Sequence, residues 1–261
     1  MKLAVNYSSA LIQLIESGAL TVDLIKCPDW EGMLEEAQPF GKITIHFDSK
    51  AGLSQTFTTD LTRIEQLLNH TSTPHVNTHL VAPQHLDDIN PEETSRLIAL
   101  WREEISLLTH HFGADKVVLE HFPYTFNTPH LRLPSNPQVF SGVIQDTNCM
   151  LLLDLAHAKI TADTLSMNVK DYIQSLPLDR LAEMHVTGVK RYAGVLTDHF
   201  GLSAEDWDLF NWAIQNIHHG KWRQPEIVAF EYGGAGNVFV WRTDKRILQE
   251  QVPRLYKTVH Q

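Results

Sequence analysis

The chain has 261 residues, 43% of them hydrophobic, and a formal net charge of −10. That is enough apolar material for one large α/β domain spanning residues 1–261, and it excludes a disordered chain. The charge argues against nucleic acid as a partner, because gripping a phosphate backbone needs clustered Lys and Arg.

The start, "MKLAVNYSSALIQ", lacks the long apolar core of a signal peptide, and no apolar run is long enough to span a bilayer. Cys27 and Cys149 form no metal-type pair. A cytoplasmic protein with no membrane partner is the expectation.

Short apolar or β-branched runs recur along the chain, each followed by a helical pattern. They are "KLAVNYS" (2–8), "VDLIKCPDW" (22–30), "KITIHFD" (42–48), "HVNTHLVAP" (75–83), "KVVLEHFP" (116–123), "MLLLDLAHA" (150–158), "LAEMHVTG" (181–188) and "EIVAFEYGG" (226–234). Their continuous apolar stems suit strands buried on both faces. The first helix, "SSALIQLIESG", starts on Ser and stops on Gly. In "NPEETSRLIALWREEISLLTHHFG", Asn90 caps, Pro91 fits the first turn, Glu93 closes a capping box and Gly113 ends the helix. Ser203 and Gly220 bound the next clear helix, whose "DWDLFNWAI" is spaced for packing. The last helix, 243–260, contains Pro253. Eight strand–helix units predict a (β/α)8 TIM barrel of the α/β class. The competitor, a doubly wound open sheet, would announce a glycine-rich first turn if it bound nucleotides, and "NYSSA" is not one.

In such barrels chemistry sits at the C-terminal ends of the strands. Strand one delivers Asn6 and Tyr7 there, and strand two Lys26 and Asp29. His46, His79 and Glu120 end strands three to five. Asp154 and His157 come from strand six, His185 from strand seven and Glu231 from strand eight, with the pair Asp198–His199 in the loop between the last two. Taken singly, each has an ordinary reading: a rim histidine, a helix-capping Asp154, a loop Glu231. Together they come from six separate strands and become neighbours only if a barrel closes. Imidazoles and carboxylates crowded in a dry mouth need protons or metals to compensate them. A metal centre built from His46, His79, Glu120, Asp154, His157, His185, Asp198, His199 and Glu231 is therefore expected. Alternation turns His121 to the other face of its strand. Lys190 and Arg191 join Lys26 as candidate anion anchors.

This ordered set resembles the xylose-isomerase-like TIM barrels with multinuclear metal sites. "LLLDLAHAKITA", "AEMHVTG" and "IVAFEYGG" are similar to segments of the multinuclear non-heme iron-dependent oxidase family, long catalogued as a domain of unknown function. The Asp154-x-x-His157 pair also resembles the endonuclease IV type. The resemblance implies two or three iron ions, with zinc or manganese as alternatives. It implies oxidation of a small-molecule or peptide substrate, in that family often a peptide cysteine presented by a partner protein. Lys26, Glu120 and Glu231 are the candidate catalytic residues. Three other readings stand beside it. One is a phosphoester hydrolase. Another is a sugar isomerase or epimerase using Glu120 and Glu231 as a proton-shuttling pair. The last is a non-catalytic metal-binding protein.

Overall fold

The computed structural model describes residues 1–236 and 243–261. Its strands are β1 (Lys2–Asn6), β2 (Leu24–Pro28), β3 (Ile43–His46), β4 (Lys50–Ala51), β5 (Val76–Leu80), β6 (Val117–His121), β7 (Met150–Asp154), β8 (Leu181–Val186), β9 (Gly188–Tyr192), β10 (Val195–Phe200) and β11 (Ile227–Phe230). The helices are α1 (Ser9–Glu16), α2 (Met33–Ala37), α3 (Leu61–His70), α4 (Pro91–Phe112), α5 (Pro137–Thr147), α6 (Leu155–Thr164), α7 (Val169–Gln174), α8 (Ala204–His218) and α9 (Lys245–Val259). None is long and apolar enough, among the described residues, to cross a membrane.

Nine strands form one parallel sheet in the order β3–β2–β1–β11–β8–β7–β6–β5–β4. Its end strands, β3 and β4, are close neighbours in the chain, so the sheet curls until its two ends meet. At that seam a backbone bond from the Ser72 N–H to the Ile43 carbonyl, 2.8 Å, is joined by side chains. Asn77 accepts the Phe47 N–H at 2.7 Å and donates its amide to the Phe47 carbonyl at 2.9 Å. Thr73 Oγ1 accepts the Ile45 N–H at 2.9 Å. The alternation read from sequence is thus an α/β barrel of the TIM type.

The sheet has two faces because side chains alternate. Leu3, Val5, Ile25, Cys27, Ile43, Ile45, Val117, Leu119, Leu151, Leu153, Val228 and Phe230 point outward, into the core shared with the helices. Ala4, Leu24, Ile227 and Ala229 form a separate cluster inside the barrel, as do Val118, Leu152 and Ala182. A register shift between β7 and β8 leaves one extra residue at Ala182. Leu181, Met184 and Val186 pack outward, so this bulge resets the alternation and turns Glu183 and His185 inward.

Several helix ends follow the chain chemistry. The Asn90 side chain accepts from the Glu92 and Glu93 N–H groups, with Pro91 in the first turn and Gly113 as the stop. The expected capping box does not form, because the Glu93 carboxylate accepts the Asp87 N–H instead. Ser203 and Asp206 make a complete capping box on α8, and Trp207 and Phe210 are buried in the core. Pro253 lies inside α9. Segment 188–200, read from sequence as a loop, is the hairpin β9–β10. Its two-residue turn is Ala193–Gly194, both at positive φ (49° and 86°), the backbone that tight hairpins favour. At the hairpin's base a Cβ on Gly188 would stand 2.0 Å from the Gly201 carbonyl oxygen, so only glycine fits there.

Candidate metal centre

Eight of the nine strands send one polar side chain into the mouth at the same level, from the strand or just after it: Asn6, Lys26, His46, His79, Glu120, Asp154, His185 and Glu231. Inward parity explains why these are the residues, since each lies two positions beyond an inward-facing residue on its strand. Most of them line a cavity of about 350 Å³ at the C-terminal ends of the strands, whose walls include Tyr7, Trp30 and Phe122.

Asp154 answers for both of its sequence readings. Oδ1 caps α6, accepting the N–H groups of Ala156 at 2.7 Å and His157 at 2.9 Å. Oδ2 is buried in the mouth with no hydrogen-bond partner. β7 ends at Asp154, so His157 sits in the first turn of α6 rather than on the strand. Its Nδ1 lies 2.8 Å from the His121 carbonyl, which only accepts, so Nδ1 carries the proton. Nε2 is left facing Asp154 Oδ2 at 3.6 Å and Asp198 Oδ2 at 3.5 Å.

The His185 ring sits between unlike partners. Its Nε2 lies 2.8 Å from Glu183 Oε1, an acceptor, and 2.9 Å from Lys26 Nζ, a donor, and its Nδ1 is turned into the mouth. That buried atom has no hydrogen-bond partner and faces Glu231 Oε1 at 3.4 Å, Glu120 Oε1 at 3.7 Å and Asp154 Oδ2 at 3.8 Å. Glu120 Oε2 lies 3.1 Å from His79 Nε2 and 3.7 Å from His46 Nε2. Two ligands held about 2.1 Å from one ion at the tetrahedral angle stand roughly 3.4 Å apart, so these spacings suit donors around shared cations. Glu120 Oε2 and His79 Nδ1 are likewise buried and unpartnered. An orphaned buried polar atom costs about 1–3 kcal/mol, and clustering several in one mouth fits a metal-binding set.

Among the described residues, three groups of donors lie close enough to hold an ion: His46–His79–Glu120, His46–His185–Glu231 and Glu120–Asp154–His157. Seven of the nine residues expected from sequence are in them. Asp198 stands beside His157, and His199 lines the cavity wall, its Nδ1 3.1 Å from the Gly233 carbonyl. A register irregularity between Thr197 and Phe200, with His199 at φ 60°, turns this pair inward. Left-handed backbone is costly for a non-glycine residue and recurs at functional sites.

Left to protons alone, the cluster would balance its charge on its histidines. Burial opposes protonation of His185, but Glu231 and Glu120 outweigh it and push its pKa to about 10. Burial also opposes protonation of His157, yet Asp154, Asp198 and Glu120 carry it well above the usual imidazole range. Burial, reinforced by Lys26, holds His46 well below that range, the neutral form a metal ligand needs. Burial raises Asp154. It also works to raise Glu120, but His79 and His185 outweigh it and hold that carboxyl well below the usual range.

The remaining sequence candidates divide between the mouth and the surface. Lys26 is buried in the mouth but ion-paired to Glu231, with Nζ 2.9 Å from His185 Nε2. Lys190 and Arg191 are exposed on the hairpin, where Lys190 lies over the Phe200 ring and Arg191 donates to the Gly194 carbonyl; neither lines the cavity. The His121 side chain faces outward to the Tyr172 hydroxyl at 3.2 Å, as alternation predicts. Sequence reading missed Glu183 and His75, a buried pair joined by a short contact directly behind His185. Period-two spacing was the available signal: Glu183 is two before His185, and His75 is four before His79.

A UPF0276 protein of Acaryochloris marina (strain MBIC 11017) is 26% identical to this chain over 197 residues, covering 70% of this chain and 69% of that protein. Among solved structures, the IOLI protein with a binding zinc atom superposes with a TM-score of 0.61 at 15% identity, covering 99% of this chain and 98% of that one. A family 2 AP endonuclease from Brucella melitensis gives a TM-score of 0.58 at 13% identity over 97% and 98% of the two chains. A xylose isomerase domain protein from Alicyclobacillus acidocaldarius gives 0.57 at 13% identity over 100% and 99%. At these identities the likeness concerns the fold, which is the xylose-isomerase-like barrel. The model of the family described as "RiPP precursor modification enzyme MbnB/TglH/ChrH" matches residues 43–222, more than half of the chain, and the protein belongs to that family.

Proposed function

We propose that the protein is a metal-dependent oxidative enzyme that modifies a peptide, with iron bound by the donor groups at the barrel mouth. The observation that carries this reading is the convergence of three donor groups in one cavity, two of which share Glu120. His46, His79 and Glu120 would hold one ion, and Glu120, Asp154 and His157 another, with His185, Asp198 and Glu231 within reach. Iron bound there would supply one-electron chemistry and an open position for dioxygen and a substrate donor atom.

The chain's own residues prepare that site. The Phe122 ring stacks on His79 at 4.3 Å and shields that donor from water. The His121 carbonyl holds His157 in the tautomer that leaves Nε2 free to ligate, and Glu183 orients the His185 ring. Tyr7 and Trp30 give the cavity an aromatic wall on which a peptide side chain would pack. The family description supports a ribosomal peptide precursor as substrate, and a partner protein that presents it belongs to the same reading.

Metal analysis of anaerobically purified protein tests this. Iron with a visible absorption band that is lost in His157→Ala is the expected result. Zinc accompanied by phosphoesterase activity would replace the proposal with a hydrolase. Manganese with sugar epimerisation would replace it with an isomerase. Protein without tightly bound transition metal, unchanged by His157→Ala, would overturn all of these.

A further inference from the structure

A second cavity, of about 430 Å³, is built on three elements that also line the mouth. The mouth takes Phe122 from the loop after β6, His157 from α6 and His199 from the hairpin β9–β10. Each element continues into the second cavity: the loop as Phe126, α6 as Ile160 and Asp163, the hairpin as Arg191 and Leu196. Leu196 packs against the cluster of Ala156, Ile160 and Val189, which fixes the hairpin against α6. Between His157 and the Ile160–Asp163 stretch the helix rises roughly 5–9 Å, at about 1.5 Å per residue. An extended peptide covers that span in about two or three residues at ~3.3 Å each.

The chemistry of this lining is specific. Phe126 is 80% exposed, a large ring left uncovered at the cavity. Arg191, on the hairpin, and Asp163, on α6, are the charged residues among the described lining. Both are exposed, and among the described residues neither is in an ion pair; the Arg191 guanidinium donates to the Gly194 carbonyl. We infer that the second cavity is a docking subsite for the peptide substrate. One residue of the peptide enters the mouth, and its extended flank lies over Phe126 with an acidic side chain on Arg191 and an adjacent basic one on Asp163. An extended chain turns successive side chains to opposite sides, so neighbouring residues of opposite charge can reach two different walls. A flank of a single sign would meet like charge on one of them, which disfavours it. The Phe126 ring adds apolar contact area to the flank. The inference rests on the peptide-modifying reading above and adds the charge pattern that the substrate carries beside its modified residue.

The test selects a displayed library of random peptides on the metal-reconstituted protein under anaerobic conditions. Binding of the enriched peptides is then measured by fluorescence anisotropy. They should carry adjacent acidic and basic residues. Phe126→Ser should weaken their binding about 10-fold, the loss expected of an aromatic anchor. Arg191→Glu should weaken it about 5–10-fold, since it replaces an attraction by a repulsion. The double variant Arg191→Glu/Asp163→Lys should recover the lost affinity for peptides in which the two charges are exchanged. All three side chains are exposed, so the variants should fold, and thermal unfolding checks that they do. A library that yields no binder, or binders that none of these variants affects, would overturn the inference while the bound metal and the enzyme reading stand. Absence of bound transition metal, read by elemental analysis of the same protein, would overturn the reading beneath it.

Discussion

The two faces of the barrel wall are built from the same strands, yet they obey different rules. The outward face carries Leu, Val, Ile and Phe against the helices and is a conventional close-packed core. The inward face narrows to small clusters of Ala, Leu, Ile and Val low in the barrel and then turns polar at the mouth. One residue of spacing separates a side chain that packs from one that enters the mouth. Cys27 and Lys26 show it: the thiol lies in the outer core with its pKa pushed up to about 12 by burial, while the neighbouring ammonium meets Glu231. Stability is concentrated on one face, and strained chemistry on the other.

That contrast is open to attack from both sides. The largest stability effect should come from the outer face. Phe210→Ala removes a fully buried ring from the core and should cost about 3–5 kcal/mol by urea unfolding, while folded protein retains its metal stoichiometry. Loss of metal from still-folded Phe210→Ala would mean that the faces are not separable. Next comes Glu183→Gln, which weakens the anionic acceptor behind His185. Metal affinity by chelator competition should fall about 10–100-fold, the usual consequence of altering such a supporting carboxylate, with a smaller change in metal-free stability. An unchanged affinity would reduce Glu183 to filling.

The smallest effect is the sharpest. Asp154 uses one oxygen to cap α6 and points the other into the mouth. Asp154→Asn keeps a capping oxygen and should leave metal-free stability within about 0.5 kcal/mol while losing the ion shared with Glu120 and His157. Asp154→Ala should lose that ion and a further ~1 kcal/mol of stability. If the two variants lost equal stability, the division of labour between the oxygens would be wrong.

The site was legible where a donor ends an apolar run. His46, His79, Glu120, Asp154 and Glu231 all do so, and inward parity places each at the mouth. Glu183 was missed because it lies inside its strand rather than at the end of an apolar run, and the bulge at Ala182 puts it out of step with the residues before it. The hairpin β9–β10 was read as a loop because its Ala193–Gly194 turn is not a typical turn dipeptide; the positive φ at both positions is visible only in the folded backbone. Lys26 was read as an anion anchor because nothing along the chain announces Glu231, on a distant strand, as its partner.

The repeated strand–helix chemistry of the chain, its caps and its apolar runs, suffices for the architecture, because those signals are local and each recurs within a few residues. It also suffices to name most of the side chains that meet at the mouth, because a strand's side chains alternate with a fixed period. Which nitrogen of His157 is free, which oxygen of Asp154 caps and which faces the mouth, and that Glu231 meets Lys26 are settled only when the sheet closes. Those are questions of charge and hydrogen bonding over 3–4 Å between residues far apart in the chain, and their answers depend on closure.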